Sequence, residues 1–253
     1  MRPTSTAPFL LVAIIGMSLL AGCAVRQPGP EPPDYDPLRP FNAKIFWFND
    51  EVDTHVLTPV ATGWDKVAPR PVRRSLSNFF TNLNTPIVAV NDVLQGKLKH
   101  GAVDVGRFTV NTTVGVLGFL DPATGWGLER HEEDFGQTLG RWGVPPGPYL
   151  VLPFLGPSDP RDLLGMGVDG AMTVYPFFVD TLILTGAQAG ARAVDMVNAR
   201  SLILREVHDA KEAALDYYVF VRNAYIQRRR ALVADRPDVS LDETDLYTIE
   251  PAE

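Results

Sequence analysis

The chain has 253 residues, enough for one or two domains with a substantial buried core. Apolar residues make up 45% and charged residues 21%, which excludes both a disordered chain and a polytopic membrane protein. A formal charge of −7 leaves no electrostatic basis for binding nucleic acid, and 21 Gly with 22 Pro predict short, often interrupted elements.

The first segment reads as an export signal. Arg2 precedes an almost wholly apolar run, Phe9 to Leu20, and Leu20-Ala21-Gly22-Cys23 follows at once. Small residues fit a peptidase cleft and the Cys23 thiol accepts acyl chains, so residues 1–22 read as a cleaved lipoprotein signal peptide. The alternative is an uncleaved anchor, since about 18 apolar residues can span a bilayer. Against it, the run stops at small residues directly before a lone Cys. Cys23 is the only cysteine, so no internal disulfide is possible, and a lipid-capped thiol suits an exported protein. Several acyl chains on one residue anchor stably where a single chain does not. Ala24, in place of an Asp, leans towards the outer membrane.

Residues 23–40 form the lipidated Cys and a Pro-rich tether, with six prolines between Ala24 and Pro40. Residues 41–234 read as one all-α domain. Phe41, Ile45, Phe48, Val52 and Val56 share a helical face. Trp47 lies off it, either as a second packing contact or as an aromatic at a lipid headgroup interface. Thr85-Pro86 predicts a helix start, with Gly96 at that helix's end, and a further helix covers Lys99 to Thr112. The Gly-punctuated apolar stretch Gly115 to Pro122 is either a buried turn or a lipid-facing segment.

Residues 143–160 hold six prolines around Tyr149, Leu150, Val151, Leu152, Phe154 and Leu155, and residues 172–184 are more apolar still, broken by Pro176 and Asp180. Neither run is long or clean enough to span a bilayer. Each is a core segment or a piece buried in one leaflet. A last long helix is predicted from Val207 to Val233, with Arg228 on its apolar face and Arg222 at the edge. Arg228 either snorkels near the helix end or points a charge into a polar cavity. Residues 235–253 are acidic and aperiodic and read as a disordered tail.

No motif calls for catalysis: there is no G-x-S-x-G elbow, no H-E-x-x-H, no P-loop and no calcium loop. His131-Glu132-Glu133-Asp134 is the densest set of potential ligands, but consecutive residues rarely converge on one ion, so it reads as a charged helix start and not a metal site. The expectation is a non-enzymatic chain with no cofactor beyond covalent lipid.

A set of blocks in fixed order resembles the MlaA (VacJ) family. They are Asp36-Pro37-Leu38-Arg39-Pro40-Phe41-Asn42, then Ser77 to Leu83 with Pro86, and Arg107 to Gly115 with Gly118 and Asp121. Glu133 to Gly140 with Trp142-Gly143, Gly147 to Pro153 with Gly156-Pro157-Ser158 and Arg161-Asp162, and Arg222 to Arg228 complete it. Pro40 and Ala43 depart from the family's usual Gly and Arg. The resemblance implies a single helical domain, ring-like with a central polar channel, lying in one membrane leaflet. It implies an outer-membrane lipoprotein, anchored on the periplasmic side. Such a protein takes mislocalised phospholipid from the outer leaflet, is held by a trimeric porin and hands the lipid to the periplasmic carrier MlaC. A channel that shields the headgroup removes the costly part of lipid crossing.

Arg161, Asp162, Arg222 and Arg228 are the candidate headgroup contacts, because Arg binds phosphate in a bidentate way and Asp pairs with an amine. Arg161-Asp162 has a second reading, a helix start after Pro160 with Asp162 near the N-terminal dipole. Two rivals remain: a non-transporting scaffold bound to a porin or other envelope partner, and a phospholipid hydrolase.

Overall fold

The structure, a computed structural model, describes residues 36–172 and 181–236, the side chains of 181–188 excepted. Cys23, most of the Pro-rich tether, the centre of the apolar run 172–184 and the acidic tail from residue 237 lie outside the described residues. The described part is overwhelmingly helical. Helix α1 (Arg39–Val52) runs without a break through a π turn (Asp53–Leu57) into α2 (Thr58–Val67). Then come α3 (Arg70–Leu94), α4 (Leu98–Thr113), α5 (Pro122–Gly125), α6 (Phe135–Arg141) and a small hairpin, β1 (Leu150–Leu152) and β2 (Gly156–Ser158). Helices α7 (Pro160–Met172), α8 (Thr181–Leu202), α9 (Leu204–Ala213) and α10 (Tyr217–Val233) complete the order.

Two predicted helix boundaries differ from those observed. Pro86 does not start a helix: α3 passes through it. An interior Pro costs roughly 3 kcal/mol, and the long contact between α3 and α4 offsets that. The Thr85 hydroxyl, expected to cap, instead donates back to the Thr81 carbonyl at 3.0 Å. The predicted last helix is two helices. Ala214 is extended at φ −75° and ψ 126°. Leu215 is 98% exposed. The Asp216 side chain then caps α10 by accepting from the Val219 N–H at 3.1 Å. The tether also ends earlier than expected. Asp36 already accepts from Asn42 Nδ2 at 3.1 Å and from the Tyr218 hydroxyl.

The hairpin divides the 143–160 run. Leu150, Val151 and Leu152 pair antiparallel with Ser158, Pro157 and Gly156. Side chains alternate across a strand, so Val151 is fully buried while Phe154 and Leu155 at the turn are exposed. Asn42 and Asn49, two turns apart on α1, act as a surrogate strand edge. Asn42 donates to the Tyr149 carbonyl at 2.9 Å and accepts from the Val151 N–H at 3.0 Å. Asn49 does the same for the Leu152 carbonyl at 2.9 Å and the Phe154 N–H at 2.8 Å. The edge of β1 turned away from β2 thereby has its backbone groups satisfied.

Close helix crossings depend on small residues. A Cβ on Gly165 of α7 would lie 2.3 Å from the Gly136 nitrogen of α6. Gly118, at φ +93°, lies over Asn82, and a Cβ added to it would come within 2.5 Å of the Asn82 Cβ. It ends a turn in which Val116 and Leu117 are also left-handed, at φ 55° and 58°. Those two side chains stand exposed at its tip, which answers the open reading of this stretch: it is not a buried turn.

The distribution of polarity is inverted. Among the described residues, buried polar and charged side chains outnumber buried apolar ones. The largest fully buried side chains include Asn42, Asn91, Asn198, Asp92 and Asp104. Meanwhile Phe41, Trp47, Trp126, Trp142, Phe154 and Leu117 are all more than half exposed. Scattered apolar residues are ordinary on a water-soluble surface, but this many large ones are not. No described helix is long and apolar enough to cross a membrane.

Candidate functional site

The buried polarity gathers around a cavity of about 740 Å³. The middle of α3, from Ser77 to Val88, forms one wall, and Asp104, Arg107 and Asn111 of α4 the next. The loop Arg130–Asp134 follows, then Arg192 and Asp195 of α8, and finally Tyr225, Arg228 and Arg229 of α10. The lining is zwitterionic, with Arg107, Arg130, Arg192, Arg228 and Arg229 facing Asp104, Asp121, Glu132, Glu133, Asp134 and Asp195.

Most of these charges are fixed by partners. Arg107 grips Asp121 with one guanidinium nitrogen at 3.1 and 3.0 Å from the two oxygens, and also bonds the Thr124 hydroxyl and the Leu128 carbonyl. Asn111 adds 2.9 Å to Asp121, and the Thr124 hydroxyl 2.6 Å. Burial alone would raise the Asp121 carboxyl, but these hydrogen bonds and the Arg107 charge hold it below its usual value. On the opposite side Arg229 joins α6 to α7. It reaches Asp134 at 2.6 and 3.0 Å and Asp162 at 2.7 Å. Burial opposes its charge, yet the two carboxylates outweigh that and hold Arg229 more firmly protonated than usual. Asp134 caps α6 by accepting from the Gln137 N–H at 2.8 Å, as the charged helix start predicted there requires.

Two residues are placed differently. Arg192 and Asp195 line the cavity and make no hydrogen bond or ion pair among the described residues. Burial raises the Asp195 carboxyl. Their helix is held by Asn198, fully buried, which accepts from the Trp64 indole at 3.0 Å and donates to the Arg73 carbonyl at 2.9 Å. Sequence reasoning missed both. The available signal was a charged pair three residues apart on a helix of small residues, without distinctive spacing.

The four sequence candidates separate. Arg228 lines the cavity, mostly exposed, with its guanidinium 2.8 Å from Glu132. Arg161 and Asp162 are buried at the start of α7. Asp159 accepts from the Asp162 N–H at 2.8 Å, the Arg161 guanidinium lies 3.2 Å from Asp162, and Tyr225 donates to Asp162 at 2.6 Å. They support Arg229 and Tyr225 from behind and do not themselves form the wall. Arg222 is buried elsewhere, its guanidinium 5.8 Å above the Tyr149 ring and 3.9 Å from Asp36.

At one corner of the wall two buried carboxyls face each other with little positive charge beside them. Asp92 ends α3, Asp104 is on α4 and His131 is in the loop before α6; the ligand atoms of all three lie within 4.8 Å of one another. His131 Nδ1 is 2.9 Å from Asp104, and the His100 ring stacks on His131 with centroids 4.1 Å apart. Burial, then the neighbouring Asp104, pushes the Asp92 carboxyl up to about 8.

Comparisons with known proteins agree with this geometry. The family described as MlaA lipoprotein matches residues 34–232. The intermembrane phospholipid transport system lipoprotein MlaA of Escherichia coli (strain K12) is 38% identical over 226 residues, covering 85% of this chain and 84% of its own. The protein of the same name from Haemophilus influenzae is 34% identical over 236 residues, covering 89% and 90%. A solved chain, from work on the structural basis for maintenance of bacterial outer membrane lipid asymmetry, is 35% identical with a TM-score of 0.69. That match covers 78% of this chain and 98% of the other. An all-α chain with a polar interior, matched over nearly all its described length, belongs to the MlaA lipoprotein family.

Proposed function

We propose that this protein passes the headgroups of misplaced phospholipids through its polar cavity, out of the outer leaflet of the outer membrane, while the acyl chains stay in lipid. One observation carries the reading: a charged, zwitterionic cavity of about 740 Å³ inside a unit that turns its large apolar side chains outwards. A headgroup is costly to bring through hydrocarbon, and a lined polar passage removes that cost without any nucleotide. Exposed Trp47, Trp126, Trp142 and Phe154 suit the headgroup–acyl boundary of a single leaflet. The names of the E. coli and H. influenzae relatives support the same reading.

In this scheme a ring of helices lies in the inner leaflet, anchored by lipid on Cys23 and held by a trimeric porin, and the cargo leaves to the soluble carrier MlaC. The phosphate engages Arg192 and Arg228, and a headgroup amine engages Asp195. Arg161, Asp162 and Arg222 set the position of the walls. A strain lacking the gene should expose phosphatidylethanolamine to an amine-reactive probe that cannot cross the membrane, and the wild-type gene should restore the barrier. Arg192→Glu with Asp195→Lys should reach the outer membrane at normal level and fail to restore it. Full restoration by that variant would favour the scaffold, which needs no cavity. Released lysolipid from purified protein would favour the hydrolase.

A further inference from the structure

We infer that Asp92, Asp104 and His131 form a binding site for a divalent metal ion of the zinc type, set in the cavity wall where α3, α4 and the loop before α6 meet. The donor set is chemically suited: two carboxylates and an imidazole are ordinary zinc ligands. Zinc ligands at ~2.0–2.2 Å from the ion stand roughly 3–4 Å from one another. The three present here lie within 4.8 Å, so a side-chain adjustment closes the set.

The independent sign of a missing partner is Asp92. Its side chain is fully buried, neither carboxylate oxygen accepts from an N–H or hydroxyl donor, and the group it faces is another carboxyl, Asp104. Buried polar atoms are nearly always satisfied, and an isolated buried charge is worse still. The cations nearby do not meet the need. Lys97 is taken up by Glu133 at 2.8 Å and by Asp235. His100 Nδ1 stands 3.9 Å from Asp92, beyond hydrogen-bond reach, at the edge of the site. A divalent ion balances both carboxylates at once, where one shared proton balances only one. His100, stacked on His131, is the nearest additional donor. Because Asp104 and His131 also line the cavity, the ion borders the passage. The site stands or falls independently of the transport reading.

The test uses the full-length lipoprotein in detergent, purified without chelator. Elemental analysis should find one zinc per chain. After chelator stripping, titration with zinc chloride should refill one site and raise the thermal midpoint, as any ligand of the folded state does. Asp92→Asn keeps the shape and removes a buried charge, so it should fold in the stripped form. It should bind zinc weaker by more than the ~10–100-fold that loss of a mere outer-shell contact costs. His131→Gln should behave alike, while His55→Gln with His208→Gln, both on exposed side chains, should bind as wild type. Wild-type protein that carries no zinc and shows no midpoint shift would overturn the inference, as would undiminished binding by the Asp92→Asn, His131→Gln double variant.

Discussion

Arg229 stands between two carboxylates from different elements, Asp134 at the cap of α6 and Asp162 in the first turn of α7. Removing it leaves Asp134 without its cation and Asp162 with Arg161 alone, which costs more than the pairing contributes when whole. The arrangement sets an acid limit. Burial would raise the Asp134 carboxyl, but the Arg229 hydrogen bonds and charge outweigh that, so it titrates below its ordinary 3.8. A carboxyl depressed in the folded state contributes stability that is present above the unfolded value and lost as pH falls through the folded one. Asp121 acts in the same direction. Asp159 and Asp169, raised chiefly by burial, act in reverse: their stabilising share is complete below 3.8 and fades as pH climbs through their folded values. The urea midpoint should therefore fall steeply only below about pH 4. Arg229→Gln should lower the whole curve and flatten that acid limb. An acid limb as steep in Arg229→Gln as in wild type would assign it to other carboxyls.

Helices α6 and α7 cross at two glycines, Gly136 and Gly165, with no room for a methyl group. Gly165→Ala should cost about 1–3 kcal/mol through overpacking. Gly167→Ala in the same helix, with nothing within 4 Å of its added carbon, should be neutral or stabilising by up to about 1 kcal/mol. Equal denaturation midpoints for the two variants would mean that the crossing is loose. Helices of this kind were legible where periodicity or a cap announced them: α4 and the Asp134 cap match the reading of Lys99–Thr112 and of the charged run. Pro86 misled because local propensity was outweighed by packing along α3, which no window of sequence contains. The break at Ala214–Asp216 was missed because apolar residues on either side keep helical phase, although Asp216 is a sound cap residue. Of the candidate contacts, Arg228, a charge that interrupts an apolar face, lines the cavity. Asp92 and Asp104 escaped notice because they sit twelve residues apart on separate helices and meet His131 only in three dimensions.

The chain joins a segment that reads as an export signal, ending at the proposed acylation thiol, to a unit whose described exterior is rich in aromatic and aliphatic side chains. In the proposed reading two separate forces hold it to a bilayer, acyl chains at Cys23 and apolar burial by the folded unit. Cys23→Ser should abolish labelling with palmitate and block lipoprotein processing. Labelling that persists in this variant would refute the lipobox reading. The inverted distribution of polarity also bears on the journey there. Water drives apolar side chains together, so before insertion the outward Trp47, Phe154 and Leu117 invite self-association instead of reinforcing the fold. If the chain travels as proposed, then between the inner membrane and its destination it is a passenger whose shelter must be supplied by something else. Its native state would then be a property of protein and lipid jointly, completed on arrival.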